Sequence, residues 1–321
     1  MASLVNEVSW SRTRFTAFES CRRRYWYQYY LKWNGWEGGA PEERRIAYRL
    51  SNMTNLVLLA GEAAHEAIRI LLTAVQNGAP VDAERAEQCA RDLMNDVWAK
   101  ARRRAFLRGS PKWNRPLFEL YYGDPPPPEA TARASETARG AVRRLAESAF
   151  FADLLTTNRE DWFWIDEKGP IDDTAKVVRV DGARVWALPD FARKDGDTCI
   201  LYDWKTGGPK PDDSVQILSY ALHAHEVWGY PPEKIRAVLV YLRDGVETTE
   251  VQVDAEKLAL IRTRIARDVA VMRDLHGTGD PSPDRFPFVE DRAICEDCFF
   301  KELCPAKNEL PTHRRDDASP R

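Results

Sequence analysis

Residues 188–207 restrict the possible folds of this chain more than any other segment, and they read LPDFARKDGDTCILYDWKTG. The two halves are rich in strand-forming residues, and the Lys-Asp-Gly-Asp connection between them favours a tight turn. A hairpin centred on that connection places Asp190 directly opposite Asp203, with their Cβ atoms about 4.5–5.5 Å apart. Because side chains alternate along a strand, Lys205 projects from the same face as Asp203. The sequence therefore predicts two carboxylates and a lysine on one small patch of a β-sheet.

The paired acids favour a metal site. Two carboxylates at this distance repel each other, and both stay ionised only if a cation lies between them. Mg²⁺ or Mn²⁺ suits such an oxygen-rich site. A metal there could bind a phosphate oxygen and lower the pKa of a bound water, while the lysine orients that water or neutralises developing charge. The alternative is a pair of surface acids beside a turn, with the lysine as their salt-bridge partner, and spacing alone does not choose between the two.

The sequences Pro189-Asp190 and Asp203-Trp204-Lys205 resemble the signature of the PD-(D/E)XK nuclease superfamily. This resemblance implies that Asp190 and Asp203 bind the metal and that Lys205 assists the attacking water. It also implies that the backbone carbonyl of Trp204 is a further metal ligand. The implied fold is an α/β restriction-endonuclease-like core, in which helices flank a central mixed β-sheet. The implied activity is metal-dependent hydrolysis of phosphodiester bonds in DNA.

Two further motifs resemble the RecB-like branch of that superfamily. Gly61 and His65 match its G-x-x-x-H element, which implies that His65 contacts the metal. Gln216 and Tyr220 match its Q-x-x-x-Y element, which implies that this pair faces the active site and the DNA. Read without the hairpin, the histidine is a core residue on an apolar helix face and the second pair is an ordinary amphipathic turn. One departure is Ala187, which stands where the branch has a glycine.

A second cluster of chemistry-bearing residues lies near the C-terminal end, where the sequence CEDCFFKELCP spaces three cysteines as C-x₂-C-x₅-C. A tetrahedral zinc site or a [4Fe–4S] cluster needs four cysteines, so one ligand is missing. Of the three remaining cysteines, Cys89 falls in an expected helix and Cys199 in an expected strand, where both are packing residues. Cys21 is therefore the natural fourth ligand. The predicted set is Cys21, Cys295, Cys298 and Cys304.

One cysteine before the nuclease core and three after it resemble the iron–sulfur nucleases of the RecB-like branch. These include the AddB-type recombination nucleases and the CRISPR-adaptation exonucleases. The resemblance implies a structural [4Fe–4S] cluster, an exonuclease that acts on single-stranded DNA or free DNA ends, and a helicase or integrase-type partner in trans. The alternative for the cysteines is structural zinc, since thiolates bind both metals. The alternative for the whole chain is a non-catalytic DNA-binding module of the same fold.

The net charge of −3 conceals two basic clusters, at residues 12–24 and 100–108. Arginines can bind phosphates and aromatic rings can stack on unpaired bases, so the first cluster favours single-stranded DNA. Alternatively, both clusters are solvated helix faces, and we expect at least half of the six rings at 25–33 to be core. The predicted DNA-binding residues are Arg22, Arg23, Arg24, Gln216 and Tyr220.

The remaining pattern sets the domain organisation. Helices are expected over 55–77, 83–107, 130–157, 213–228 and 254–276, and strands over 176–180, 183–193, 198–204, 235–242 and 248–253. We expect an N-terminal segment with the first cluster cysteine (1–54), a helical region with an insertion (55–160), the nuclease core (161–280), a cluster-binding segment (281–310) and a disordered tail (311–321). No apolar run is long enough to cross a bilayer, and the N-terminus does not resemble a secretory signal. These features predict a cytoplasmic protein with reduced thiols and no membrane partner.

Overall fold

The structure is a computed structural model that describes residues 6–123, 125–167, 176–277 and 281–305; the expected tail at 311–321 lies outside them. Its helices are α1 (Arg12–Ser20), α2 (Arg22–Trp26), α3 (Glu42–Ser51), α4 (Leu56–Gln76), α5 (Ala83–Arg102), α6 (Phe118–Tyr122), α7 (Pro128–Ala146), α8 (Ala149–Leu155), α9 (Asp213–Glu226) and α10 (Ala255–His276). Its strands are β1 (Trp162–Ile165), β2 (Val178–Val180), β3 (Ala183–Val185), β4 (Phe191–Asp195), β5 (Thr198–Lys205), β6 (Ile235–Tyr241) and β7 (Glu247–Val251). In these ranges, no helix combines the length and apolar character that crossing a membrane requires.

A mixed five-stranded sheet forms the centre of the fold, in the order β1-β4-β5-β6-β7. Only the β5–β6 pair is parallel, and α9 provides the crossover that a parallel pair requires. Alternate side chains of β5 divide the core. Ile200, Tyr202 and Trp204 pack with α4, α5 and α7, whereas Cys199 and Leu201 pack with α9 and α10. This arrangement confirms the expected core, a mixed sheet flanked by helices.

The register of the β4–β5 hairpin agrees with the sequence-based prediction. Phe191 pairs with Tyr202, and Lys194 pairs with Cys199, so the same register continued by one residue sets Asp190 opposite Asp203. The connecting turn contains Gly196 at a φ of +60°, a conformation that glycine adopts without steric cost. The hairpin places both acids at the end of the sheet farthest from this turn.

Two predicted helices end differently in the structure. The expected helix at 130–157 is two helices, α7 and α8, because the side chain of Ser148 accepts the N–H of Phe151 and caps a new helix. The expected helix at 83–107 ends at Arg102, and Arg104 then adopts a left-handed φ of +51°. A non-glycine residue with that φ cannot continue an α-helix. A short 3₁₀ turn follows instead.

His223 is a buried histidine of α9, with only 1% of its surface exposed. Its ring packs edge-on against Trp228, with 5.0 Å between the centroids, and its Nδ1 atom makes no hydrogen bond within the described residues. Burial lowers the pKa of His223 to about 4, below its ordinary 6.5. The unfolded chain therefore binds a proton that the folded chain does not, and stability is lost as the pH falls from 6.5 towards 4.

Between pH 7.5 and pH 5, we expect the free energy of unfolding of the wild-type protein to fall by about 2 kcal/mol more than that of a His223→Gln variant. The difference arises because glutamine does not titrate. Urea unfolding followed by tryptophan fluorescence at the two pH values measures it. An equally steep fall in both proteins would show that His223 does not remain neutral in the folded state.

Candidate active site

The end of β5 and the start of β4 bring the two predicted metal-binding acids together. A backbone contact fixes Asp190, because its Oδ2 accepts the N–H of Trp204 over 2.7 Å. Asp190 keeps 16% of its side-chain surface exposed, whereas Asp203 keeps 1%. The pair thus combines one acid at the opening of the site with one in its interior.

Asp203 is a buried acid whose charge is offset by a lysine. Its Oδ2 lies 2.6 Å from Nζ of Lys205, so this buried oxygen takes part in an ion pair. Its Oδ1 accepts a long hydrogen bond of 3.4 Å from the hydroxyl of Tyr220. Burial, together with the negative charge of Asp190, raises the pKa of Asp203 to about 7. The charged form of this side chain therefore needs cations nearby.

His65 approaches the same acids from α4. Its Nδ1 lies 3.3 Å from Oδ1 of Asp190, and 32% of its side chain is exposed, so the ring borders the opening of the site. Burial alone would lower the pKa of His65, but the Asp190 carboxylate outweighs it and raises that pKa to about 9. Burial likewise raises the pKa of Asp190, but His65, the Trp204 N–H and Lys205 outweigh it and hold that pKa below its ordinary value. In the structure these two side chains form an ion pair.

Gly61 lies one turn before His65 and allows α4 to run close to the end of β5. A Cβ atom built on this glycine would lie 3.6 Å from Oγ1 of Thr206, which is ordinary van der Waals contact. The space between Gly61 and Thr206 would therefore still accommodate a methyl group. The glycine of the G-x-x-x-H element thus lies beside the end of β5.

The Q-x-x-x-Y pair forms a hydrogen-bonded chain with the lysine. Nζ of Lys205 donates to Oε1 of Gln216 over 2.8 Å, and Nε2 of Gln216 donates to the Tyr220 hydroxyl. Because Tyr220 also contacts Asp203, these four side chains form one connected group. The three catalytic candidates, His65 and the pair from α9 are therefore neighbours in space, although the chain between them spans most of the core.

Asp213 is a further acid of this group that the sequence analysis did not identify. Its Oδ1 lies 3.9 Å from Nζ of Lys205, and its Oδ2 accepts hydrogen bonds from the Tyr241 hydroxyl and from the N–H of Lys210. It begins α9 three residues before Gln216, on the same helix face. An acid at that spacing is the signal that could have identified it.

The donor atoms of this group fit a divalent cation. In the part of the chain that the structure describes, no three His, Cys, Asp or Glu side chains are already arranged to hold a metal ion. The two acids instead pair with His65 and Lys205. However, carboxylate oxygens are the ligands that Mg²⁺ and Mn²⁺ prefer, and both acids present such oxygens to the cationic partners His65 and Lys205. The residues present therefore suit an ion of this class.

The four predicted cluster cysteines line one cavity, together with four cationic side chains: Cys21, Cys295, Cys298, Cys304, Arg23, Arg24, Arg292 and Lys301. Sγ of Cys21 caps α2 by accepting the N–H of Arg24 over 3.4 Å. Burial raises the pKa of Cys298 to about 11, so this thiol needs positive charge to ionise. Nε of Arg24 is buried and has no hydrogen bond within the described residues. Thiols and cations thus surround a common space.

Cys89 and Cys199 lie elsewhere, as expected of packing residues. Cys89 packs against the α4 and α7 side of the core, and Cys199 is fully buried in β5. Half of the rings at 25–33 are core residues, which confirms that part of the expectation; the buried ones are Tyr25, Tyr27 and Tyr30.

The N-terminal arginines that were predicted to bind DNA make contacts within the protein. The Arg22 guanidinium donates to the carbonyl of Phe18. Nε of Arg23 donates to the carbonyl of Phe286 over 2.9 Å. The contact of Arg23 and the position of Arg24 in the cysteine cavity help to join the two ends of the chain, whereas the contact of Arg22 lies within the N-terminal segment.

Comparison with known proteins gives the same family as the hairpin motif. A family model described as the PD-(D/E)XK nuclease superfamily matches residues 9–305, whereas no curated protein sequence matched the chain. Nucleases of this superfamily hydrolyse phosphodiester bonds, use divalent metals such as Mg²⁺ or Mn²⁺, and act on DNA. The match extends over most of the chain, and the mixed sheet flanked by helices fits the fold of this superfamily. The protein therefore belongs to the PD-(D/E)XK nuclease superfamily.

Proposed function

We propose that this nuclease is an exonuclease that degrades single-stranded DNA ends and that Asp190, Asp203 and Lys205 are its catalytic residues. The observation that carries the proposal is the single connected group in which these three side chains meet His65, Gln216 and Tyr220. A surface hairpin with a salt bridge does not account for an acid that is 1% exposed and whose pKa is raised by a second carboxylate, that of Asp190. Lys205 and His65 offset part of this negative charge, and a divalent cation would offset it further.

The mechanism assigns a separate task to each side chain. When bound by Asp190, Asp203, His65 and the Trp204 carbonyl, a divalent metal supplies a water of lowered pKa and a contact for a phosphate oxygen. Lys205, whose ammonium is fixed between Asp203 and Gln216, orients the attacking water and neutralises charge that develops on the phosphate. The N–H of Trp204 fixes the Asp190 carboxylate.

Gln216 and Tyr220 act on the α9 side of the site. Gln216 accepts a hydrogen bond from Lys205 and donates one to Tyr220, and the Tyr220 hydroxyl donates to Asp203. These hydrogen bonds fix the orientation of Gln216 and Tyr220 beside Asp203. Asp213 lies behind Lys205 and is itself fixed by Tyr241. We assign to Gln216 and Tyr220 the contact with the DNA strand next to the scissile phosphate.

We propose further that the cysteine cavity holds a [4Fe–4S] cluster and that the protein belongs to the iron–sulfur part of the RecB-like branch. A cluster with four thiolate ligands carries net negative charge, and four cationic side chains line the same cavity. The cluster would join a helical N-terminal segment to the segment at 281–310, with the nuclease core and a helical insertion between them. A helicase or integrase-type protein would then deliver the DNA in trans.

Cleavage of end-labelled DNA tests the proposed activity. The protein is incubated with single-stranded and blunt double-stranded DNA, each labelled at either end, with Mg²⁺ or with Mn²⁺. Stepwise shortening of the single strand from one end supports the proposal. Internal cuts in the single strand indicate an endonuclease, and binding without any cut with either metal indicates a non-catalytic module, so each of these results would refute the exonuclease.

The affinity for single-stranded DNA should fall at least about 10-fold between 50 and 200 mM salt, because cationic side chains release counterions when they bind phosphates. The basic cluster at residues 100–108 supplies the contacts, because the arginines of the other cluster, at residues 12–24, already contact groups within the protein. Fluorescence anisotropy with a labelled oligonucleotide measures the dissociation constant across the salt series. An affinity that does not change with salt would mean that neither cluster meets the DNA backbone.

A further inference from the structure

Residues 100–115, here called the basic segment, form a cationic surface outside the catalytic group. The segment contains no acidic residue and seven cations: Lys100, Arg102, Arg103, Arg104, Arg108, Lys112 and Arg115. Two of them pair with acids outside the segment, Lys100 with Asp96 and Arg115 with Glu62. The other five are exposed, and none of them forms an ion pair with a residue in the described ranges. Such a surface attracts polyanions.

Trp113 stands out from the basic segment with 71% of its surface exposed. The ammonium of Lys112 lies 5.3 Å from the centroid of its ring. A compact turn displays it, because the N–H groups of Trp113 and Asn114 both donate to the carbonyl of Ser110, over 3.1 and 3.0 Å. Exposure of the apolar indole surface to water is unfavourable, so burying it against a partner would lower the free energy. Because an ordered turn holds the ring outward, it is already positioned to stack on a flat apolar partner.

The turn is tightly packed on its inner side. A Cβ atom built on Gly109 would lie 2.8 Å from Nδ2 of Asn114, closer than real Cβ contacts. The side chain of Asn114 in turn donates to the carbonyl of Ser110. A larger residue than glycine would therefore displace the Asn114 side chain from its place in the turn that displays Trp113.

The basic segment is fastened to the same helix that carries His65. The guanidinium of Arg115 forms a two-point ion pair with Glu62 of α4, which lies one turn before His65. Leu58, Glu62 and His65 follow one face of α4 at helical spacing, and Leu58 is 49% exposed. An open helix face therefore leads from the catalytic group to the basic segment.

We propose that the basic segment is a binding site for an unpaired DNA strand, in which Trp113 stacks on a base and Arg108 and Lys112 contact phosphates. This proposal extends the proposed function and rests on it, because the strand is taken to run from the basic segment towards the proposed nuclease active site. Every base presents an aromatic face, so stacking holds a single strand of any sequence. In a duplex the faces are already stacked on each other, which leaves the indole nothing to bind. The site would thus favour single strands over blunt duplexes.

Binding of oligo(dT) and of a blunt duplex of the same length, measured by anisotropy without added divalent metal, tests this proposal. We expect Trp113→Ala to weaken oligo(dT) binding about 10-fold or more, and Trp113→Phe to weaken it much less, because phenylalanine still stacks. Duplex binding should change less than about 2-fold with either variant. The control is Leu260→Ala on α10, which removes another exposed apolar side chain (62% exposed) and should leave both affinities unchanged.

The salt dependence separates stacking from phosphate contact. Lys112→Gln should reduce the slope of log affinity against log salt by about 0.7, the value for one contact to a single strand, while Trp113→Ala should leave that slope unchanged. Unchanged oligo(dT) binding by Trp113→Ala, or an equal loss of affinity for the duplex, overturns the proposal that the ring stacks on an unpaired base. Wild-type protein that binds oligo(dT) through Trp113 but cleaves no DNA would refute the nuclease and leave this site standing.

Discussion

Asp203→Asn and Lys205→Gln should each lower the rate of metal-dependent DNA cleavage by about 10³-fold or more, since each removes a charge that the reaction requires. Asparagine keeps the shape of the buried side chain but loses the charge that binds a metal. Glutamine keeps much of the length of Lys205 but cannot neutralise charge on the phosphate. Single-turnover cleavage of end-labelled DNA at saturating metal measures the loss, and circular dichroism checks the fold.

Lys234→Gln is the matched control, because it also removes a lysine from an ion pair, here between the residue before β6 and the turn of the hairpin. Nζ of Lys234 lies 2.8 Å from Asp197, at the turn of the hairpin and thus at the opposite end from the catalytic group. This variant should cleave as fast as the wild-type protein. Near-normal cleavage by a folded Asp203→Asn or Lys205→Gln protein would remove that residue from the active site.

The hairpin could be predicted because its information is local. A tight turn centred between Gly196 and Asp197 determines which residues lie opposite each other on the two strands. Hydrophobic alternation adds little, because β5 is buried on both faces and Phe191 and Ala192 of β4 belong to different core clusters. The position of the turn alone therefore predicts that Asp190 lies opposite Asp203.

Contacts between distant segments could not be predicted in this way. Arg23 was predicted to bind phosphate, yet its guanidinium donates to the carbonyl of Phe286, 263 residues away. Asp213 lies beside the proposed catalytic lysine because α9 returns next to β5, and in the sequence only its spacing from Gln216 indicates this. Trp113 resembles any loop tryptophan in sequence, and its exposure distinguishes it only once the fold is known. In each case the partner comes from the tertiary fold.

Noncovalent contacts already join the two ends of the chain around the cysteine cavity. The ring of Tyr27 stacks on the buried Phe300, with 5.7 Å between the centroids, and its hydroxyl donates to the carbonyl of Leu303. The indole N–H of Trp26 donates to the carbonyl of Pro281. A cluster ligated from both sides would therefore add to an existing interface instead of creating one, and its loss should loosen the ends without unfolding the sheet.

Cys21→Ser should abolish cluster binding and lower the free energy of unfolding by up to about 5 kcal/mol, the entropy of closing a loop between the chain ends. Wild-type protein purified without oxygen should be brown, with broad visible absorbance and about four irons per chain, whereas the variant should be colourless. Cleavage should fall only indirectly, through lost stability, because no cysteine belongs to the catalytic group. Metal analysis, visible spectra and thermal unfolding of both proteins measure these effects.

Cys89→Ser is the matched control, since it makes the same chemical change at a half-buried cysteine that packs against the helical core. It should keep its iron and its colour, because its sulfur lies outside the cavity. Colourless wild-type protein with one zinc per chain would show that the same four cysteines bind zinc instead of an iron–sulfur cluster. A Cys21→Ser protein that retains full metal content and stability would exclude Cys21 as a ligand. The two ends of the chain would then be held by contacts such as Tyr27 with Phe300 alone.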